Sequence, residues 1–209
     1  LTLFRTSGLL GRFPELFSYE APELSNALRA VNFAIATQQY DDLYSEFQKC
    51  IKGLRDLDAS NNDTLAVFFA RLVLEEATWL ETSHLADWQI EFARRALSSM
   101  DYLRAATLAQ EAVVSAAIAK TRLRTDMPTR LRVRDALLDR KYSKALYPVD
   151  PWPFFTLWEV RSALAGIQSK QPTNLRPILK DATSLHHFLE RAISFAAVLV
   201  ARFKRTTPY

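Results

Sequence analysis

Across residues 22–57, PELSNALRAVNFAIATQQYDDLYSEFQKCIKGLRDL, apolar side chains recur at helical spacing in two blocks separated by a polar stretch at 38–42. Apolar residues three and four apart share one face of a helix, so the pattern predicts a helical hairpin. The next segment opens with ASNNDT, where Asn62 or Asp63 is expected to cap a long, very apolar helix over 64–80. Leu65, Phe68, Phe69, Leu72, Val73 and Ala77 are its expected core residues. A second hairpin is predicted over 85–119, with its break near 98–101. Ala34 and Tyr40 align with Ala96 and Tyr102 at an offset of 62 residues, and Tyr142 repeats the pattern 40 residues later. Helical-repeat proteins use such positions to let neighbouring helices approach, although the unequal offsets are not those of a regular solenoid.

Further along, Pro128 in TDMPT is expected to end a helix. A proline-rich connector, YPVDPWPFF, leads into a helix over 156–165, with Asp150 and Pro151 as its start signal. GIQSKQPTN reads as a loop. A long amphipathic helix is expected to close the chain over 175–205, its basic end, Arg202, Lys204 and Arg205, complementing the helix dipole.

Composition strengthens the helical reading. Only four glycines occur in 209 residues, while alanine, leucine and arginine abound, and 49% hydrophobic content is enough for a real core. The expected fold is all-α, a helical bundle forming a single domain over 1–209. The start, LTLFRTSGLL, reads as mature protein, and the missing initial methionine suggests a piece of a longer one. One cysteine, Cys50, forms no internal disulfide and fits a reducing cytoplasm; without a local activator it reads as a small buried hydrophobe. The longest apolar run, 192–201, is too short to span a membrane.

Charge is +4 overall but unevenly placed. Residues 120–144 hold nine basic and three acidic side chains, a net +6, so the rest of the chain is −2. A polyanion such as single-stranded RNA is a partner suited to that segment, with Arg122, Arg124, Arg130 and Arg134 as candidate contacts. The same segment also reads as a solvated face, since Arg130, Arg132 and Arg134 cannot share one side of a helix and Asp135 and Asp139 offer nearby pairs. Trp152, Phe154, Phe155 and Trp158 form either a base-stacking platform or packing residues.

Several chemistries find no support. There is no glycine-rich phosphate loop, nucleophile elbow or Cys/His cluster at zinc spacing, so no metal or cofactor is expected. The pairs Glu75–Glu76 and Asp41–Asp42 are adjacent on helices and point about 100° apart, a poor arrangement for shared acid–base work.

Three stretches resemble the C-terminal helical HEPN domain of CRISPR-associated ancillary ribonucleases that carry a Rossmann-like CARF sensor. These are ALRAVNFAIATQQYDDLYSEF, FARRALSSMDYLRAATLAQEAVVSAA with its glutamate–alanine pair, and VRSALAGIQ before a final long helix. In that family the third stretch reads Arg-Asn, a few small or apolar residues, and His. The resemblance implies a homodimer whose arginines and histidines converge on RNA in a metal-independent site. Histidine would shuttle the proton of the ribose 2′-hydroxyl and arginine would steady the phosphorane charge.

Carried onto this chain, Arg161 matches the arginine, Ser162 stands where asparagine is common, and Gly166 occupies the histidine position. No arginine lies five to seven residues before His84, His186 or His187, although His186 or His187 could approach Arg161 in space. The resemblance therefore implies a degenerate domain of an antiviral defence protein, serving dimerisation or signal relay with weak or no RNase activity. Cyclic oligoadenylate would act only through a sensor domain that this chain lacks. Two other readings stand beside it: a helical-repeat scaffold that binds a protein partner, and a general RNA-binding helical module.

Overall fold

The computed structural model describes residues 13–37, 43–60, 64–77, 84–123, 126–139, 152–166 and 173–205. All secondary structure in these residues is helical. Where the sequence suggests one domain, the chain divides into two compact units, Leu1–Ser83 and His84–Tyr209, each burying its own apolar stripes. No helix among the described residues is long and apolar enough to cross a membrane.

The first unit contains α1 (Phe13–Phe17), α2 (Pro22–Thr37), α3 (Leu43–Asp58) and α4 (Leu65–Ala77). The predicted hairpin is α2 and α3, meeting over Leu24, Leu28 and Val31 on one side and Phe47, Ile51 and Leu54 on the other, all buried. Gly53 permits this approach, because a Cβ there would lie 3.2 Å from the Leu24 Cβ. The Ser25 hydroxyl donates 2.6 Å to the Pro14 carbonyl and ties α1 to α2.

Helix α4 starts one residue after the predicted position, at a cap supplied by Thr64: the Val67 N–H donates to the Thr64 Oγ1 at 3.4 Å. The alternative caps Asn62 and Asp63 lie outside the described residues, as do residues 78–80. Its buried face differs from the expected one. Ala66, Val67, Ala70 and Val73 are buried, whereas Leu65 and Phe68 are 65% and 54% exposed and Phe69 and Leu72 are intermediate; of the expected set only Val73 is core, and the Ala77 side chain is not described. The segment is apolar nearly all round, so periodicity cannot choose a face; the small Ala66 and Ala70 turn inward, where a helix can come close.

The second unit contains α5 (Leu85–Ser98), α6 (Tyr102–Thr121), α7 (Met127–Leu138), α8 (Trp152–Leu164), a 3-10 turn (Thr173–Leu175), α9 (Arg176–Leu179) and α10 (Ala182–Arg205). Helix α6 is its axis, buried nearly all round because α5, α7, α8 and α10 pack about it. Alanines at 105, 106, 109, 112, 116 and 117 make room for those neighbours. Tyr102 meets His186 at one end of α6 and Lys120 lies over Phe203 at the other, so α6 and α10 run in the same direction. The Lys204–Asp87 ion pair then sets α5 antiparallel to both.

The break between α5 and α6 falls where the sequence predicts it. It is a Schellman ending: the Asp101 N–H donates to the Ala96 carbonyl and the Met100 N–H to the Leu97 carbonyl, each at 2.9 Å. Met100 takes the left-handed conformation, φ +60°, usually left to glycine. Asp101 then caps α6 through the Arg104 N–H.

Two expectations are corrected. Pro128 does not end a helix; it sits in the first turn of α7, where its missing N–H is not needed, behind an Asp126 cap that accepts from the Thr129 N–H at 2.9 Å. The closing helix does not run unbroken over 175–205. The Asp181 carboxylate accepts the Ser184 N–H at 2.7 Å and starts α10 afresh, leaving α9 as a separate turn packed against it. That hydrogen bond also holds the Asp181 carboxyl below its ordinary pKa.

The 62-residue offset extends well beyond Ala34 and Ala96. The buried positions 24, 27, 28, 31 and 34 of α2 correspond to buried 86, 89, 90, 93 and 96 of α5. Buried 43, 47, 50, 51 and 54 of α3 correspond to buried 105, 109, 112, 113 and 116 of α6. The caps Thr64 and Asp126 correspond too, each accepting from the N–H three residues ahead.

Candidate functional site

Helix α8 carries the motif. Its start signals Asp150 and Pro151 lie outside the described residues; Phe154, Leu157 and Val160 are buried along one stripe and fix its rotation. This rotation leaves Arg161 half-buried, and its Nη1 donates to the Gln110 Oε1 of α6 at 2.8 Å. Gln110 is 0% exposed, and its Nε2 has no hydrogen-bond partner among the described residues. Ser162 is buried.

Gly166, at the position where the resemblance expects histidine, ends the helix. Its N–H donates to the Ala163 carbonyl at 3.1 Å and its φ is +69°. A Cβ built there meets nothing within 4 Å, so space is not what requires glycine; the left-handed helix ending favours it.

The three histidines serve other contacts. His84 precedes α5 and its N–H donates to the Asp87 carboxylate. His186 stacks edge-on to Tyr102 at 6.2 Å between ring centroids, and the His187 Nδ1 is 3.8 Å from the Glu190 carboxylate. Tyr102 precedes Gln110 by eight residues, which sets the His186 contact about 12 Å along α6 from the level of Arg161. Among the described residues no group of three or more His, Cys, Asp or Glu side chains could hold a metal ion.

The three described candidate RNA contacts, Arg122, Arg130 and Arg134, differ in their surroundings. Arg122 is exposed at the end of α6, in the left-handed conformation with φ +54°. Arg124 lies outside the described residues. Arg130 turns inward: its Nη2 donates to the Glu111 carboxylate at 2.5 Å and to the Ser115 hydroxyl at 3.0 Å, and only 8% of the residue is exposed. Arg134 pairs with its neighbour Asp135 at 2.9 Å, and Arg132 donates to the Thr129 hydroxyl. The aromatic group divides as well. Phe154 is core, Phe155 and Trp158 lie 6.2 Å apart and half-buried, and the Trp152 side chain is outside the described residues.

Sequence reasoning gave no role to Gln110 or Glu111 as partners of these arginines. They stand 51 and 19 residues away, and a pairing at such separation has no local signal. Phe188, Arg191 and Phe195 of α10 have no local signal either; with His187 and with Pro177 and Ile178 of α9 they line a groove of about 350 Å³. A larger cavity of about 440 Å³ lies between α5, α6 and α10, walled mainly by Leu85, Ile118 and Leu123 with Lys120 and Lys204 at its edge.

Comparison with known proteins finds no match: no family model, no curated protein and no solved structure is similar to this chain.

Proposed function

We propose that the chain is a non-catalytic helical lobe of the HEPN type from a CRISPR-associated antiviral defence protein, acting in dimerisation and signal relay. The observation that carries this reading is the state of the motif helix. Arg161 is engaged by buried Gln110, and the position five residues later is an exposed glycine at a helix ending. A ribonuclease of this type needs a proton shuttle beside its cation, and removing such a group costs about 10²–10⁴-fold in rate. In this reading Arg161 is a strut between α8 and α6. A sensor domain outside this chain would bind cyclic oligoadenylate and reposition the two lobes of a homodimer. Among the described candidates, Arg122 is the exposed cation suited to an RNA partner.

The test is cleavage of fluorescent single-stranded RNA in the presence of a chelator, with Arg161→Ala as control. The expected result is no turnover that the substitution removes. Robust metal-independent cleavage, lost in Arg161→Ala, overturns the reading.

One observation favours a second reading, a helical-repeat scaffold for a protein partner: the buried positions and helix caps that recur at 62 residues in the two units. Light scattering separates the two. The HEPN reading expects a dimer, and a monomer at all concentrations favours the scaffold.

A further inference from the structure

We propose that the groove between α9 and α10 is a binding site for a nucleotide unit, with an aromatic base against Phe188 and Phe195 and its phosphate on the Arg191 guanidinium. The inference goes beyond the function proposed above, and nuclease chemistry plays no part in it.

The groove exists because the closing helix is broken. The Asp181 cap on Ser184 separates α9 from α10, so Pro177 and Ile178 form a wall facing the side of α10 instead of extending its axis. The opposite wall is Phe188 and Phe195, and between them the small Ala192, 3% exposed, leaves depth at the floor. The volume of about 350 Å³ lies within the ordinary range for small-ligand sites.

Phe188 and Phe195 are not needed for the core. Helix α10 packs inward through Leu185, Leu189, Ile193, Ala196, Leu199 and Val200, whereas Phe188 and Phe195 are only half-buried. They stand seven residues apart, two helical turns or about 10.5 Å, with Arg191 between them on the same stripe. Arg191 is exposed and has no ion pair among the described residues. Two acids of the same region, Glu190 and Asp181, have other partners. Glu190 lies 3.8 Å from the His187 Nδ1, and Asp181 accepts the Ser184 N–H with Lys180 3.7 Å away.

This sequence of ring, permanent cation and ring suits one ligand chemistry. A planar base has π-faces for the phenyl rings, and a guanidinium presents a fork of donors to phosphate oxygens. Ser184 and His187 border the same groove and add polar contacts beside the phosphate. The walls are apolar, so the site would accept different bases. A free nucleotide and a stretch of single-stranded RNA share this chemistry, and the test distinguishes them.

The experiment is isothermal titration of the full chain with AMP, adenosine and a single-stranded oligoadenylate RNA, for the wild type, Arg191→Glu, Arg191→Gln and Phe188→Ala. Circular dichroism confirms that each variant is folded. The expected result is saturable binding of AMP, of the RNA or of both, weakened about tenfold or more by Arg191→Glu, less by Arg191→Gln and measurably by Phe188→Ala. Binding of AMP makes the free nucleotide a sufficient ligand; binding of the RNA alone makes a chain of nucleotides the ligand. Adenosine should bind about tenfold or more weakly than AMP where AMP binds. The proposal is overturned if neither AMP nor the RNA binds at about 1 mM, if adenosine equals AMP, or if binding survives both Arg191→Glu and Phe188→Ala unchanged.

Discussion

The Arg161 guanidinium at the end of α8 donates to the side-chain oxygen of Gln110 in the middle of α6, 2.8 Å away, and so joins the motif helix to the axis of its unit. Gln110 is wholly buried and its Nε2 has no partner among the described residues, so losing the arginine would leave the entire amide unsatisfied. Arg161→Ala is expected to cost about 1–3 kcal/mol in urea unfolding. Arg161→Met with Gln110→Leu should recover most of the loss, because an apolar pair leaves nothing buried without a hydrogen bond. A double-mutant cycle with no coupling would show that the bond carries no stability.

Arg130 and Glu111 form a second joint, between α7 and α6, with side chains only 9% and 15% exposed. Glu111→Ala removes the carboxylate that balances this nearly buried guanidinium and is expected to cost about 3–5 kcal/mol, whereas Arg130→Met with Glu111→Leu should be close to neutral. Because the pair is shielded from solvent, the loss in Glu111→Ala should change little between low and high salt. A large salt dependence would place the pair at the surface.

Met100 occupies a left-handed position at the α5–α6 turn, and it is 69% exposed, so its side chain secures little packing in return. Glycine adopts that backbone without the steric penalty of about 1–2 kcal/mol. Met100→Gly is therefore expected to raise stability by about 1 kcal/mol after the entropy of the more flexible unfolded chain is counted. Thermal unfolding followed by circular dichroism measures it; a lower midpoint would mean that Met100 is held by its packing.

Cys50 is buried in the first unit, and burial, with Glu46 nearby, raises its thiol from 9.0 to about 12. The folded chain should resist iodoacetamide at pH 8.5 and react readily in urea, a contrast that mass spectrometry reads directly. Linkage gives the sign of the pH effect. The raised thiol contributes stability that is whole below pH 9.0 and is lost as pH climbs from there towards about 12, because the unfolded chain ionises first. Cys50→Ala should flatten that part of the alkaline decline, and an unchanged profile would rule out the thiol as its source.

The two hairpins and the turn at 98–101 could be read from the chain because their signals are local: apolar residues three and four apart, a polar break, and an aspartate at the next helix start. Where local signals conflicted, the reading failed. Helix α4 is apolar nearly all round, and its buried face was settled by Ala66 and Ala70 turning inward. Pro128 belongs as readily to a first helical turn as to a last one, and the Asp126 cap decided between them. Residues 175–205 keep an amphipathic pattern across the Asp181 break, because a capping hydrogen bond interrupts the backbone without disturbing the spacing of side chains.

By itself, then, the sequence determined that the described residues are helical, and most of their helix limits. Only the tertiary structure decided which side chains the arginines meet. Arg130 reads in the sequence as a candidate RNA contact and Arg161 as a remnant catalytic arginine, and α6 brings Glu111 against the first and Gln110 against the second; Arg191 stands out only where α9 folds beside Phe188 and Phe195. The physical reason is that charge and helical spacing are properties of neighbouring residues, whereas the partner that spends a charge comes from a helix elsewhere in the chain.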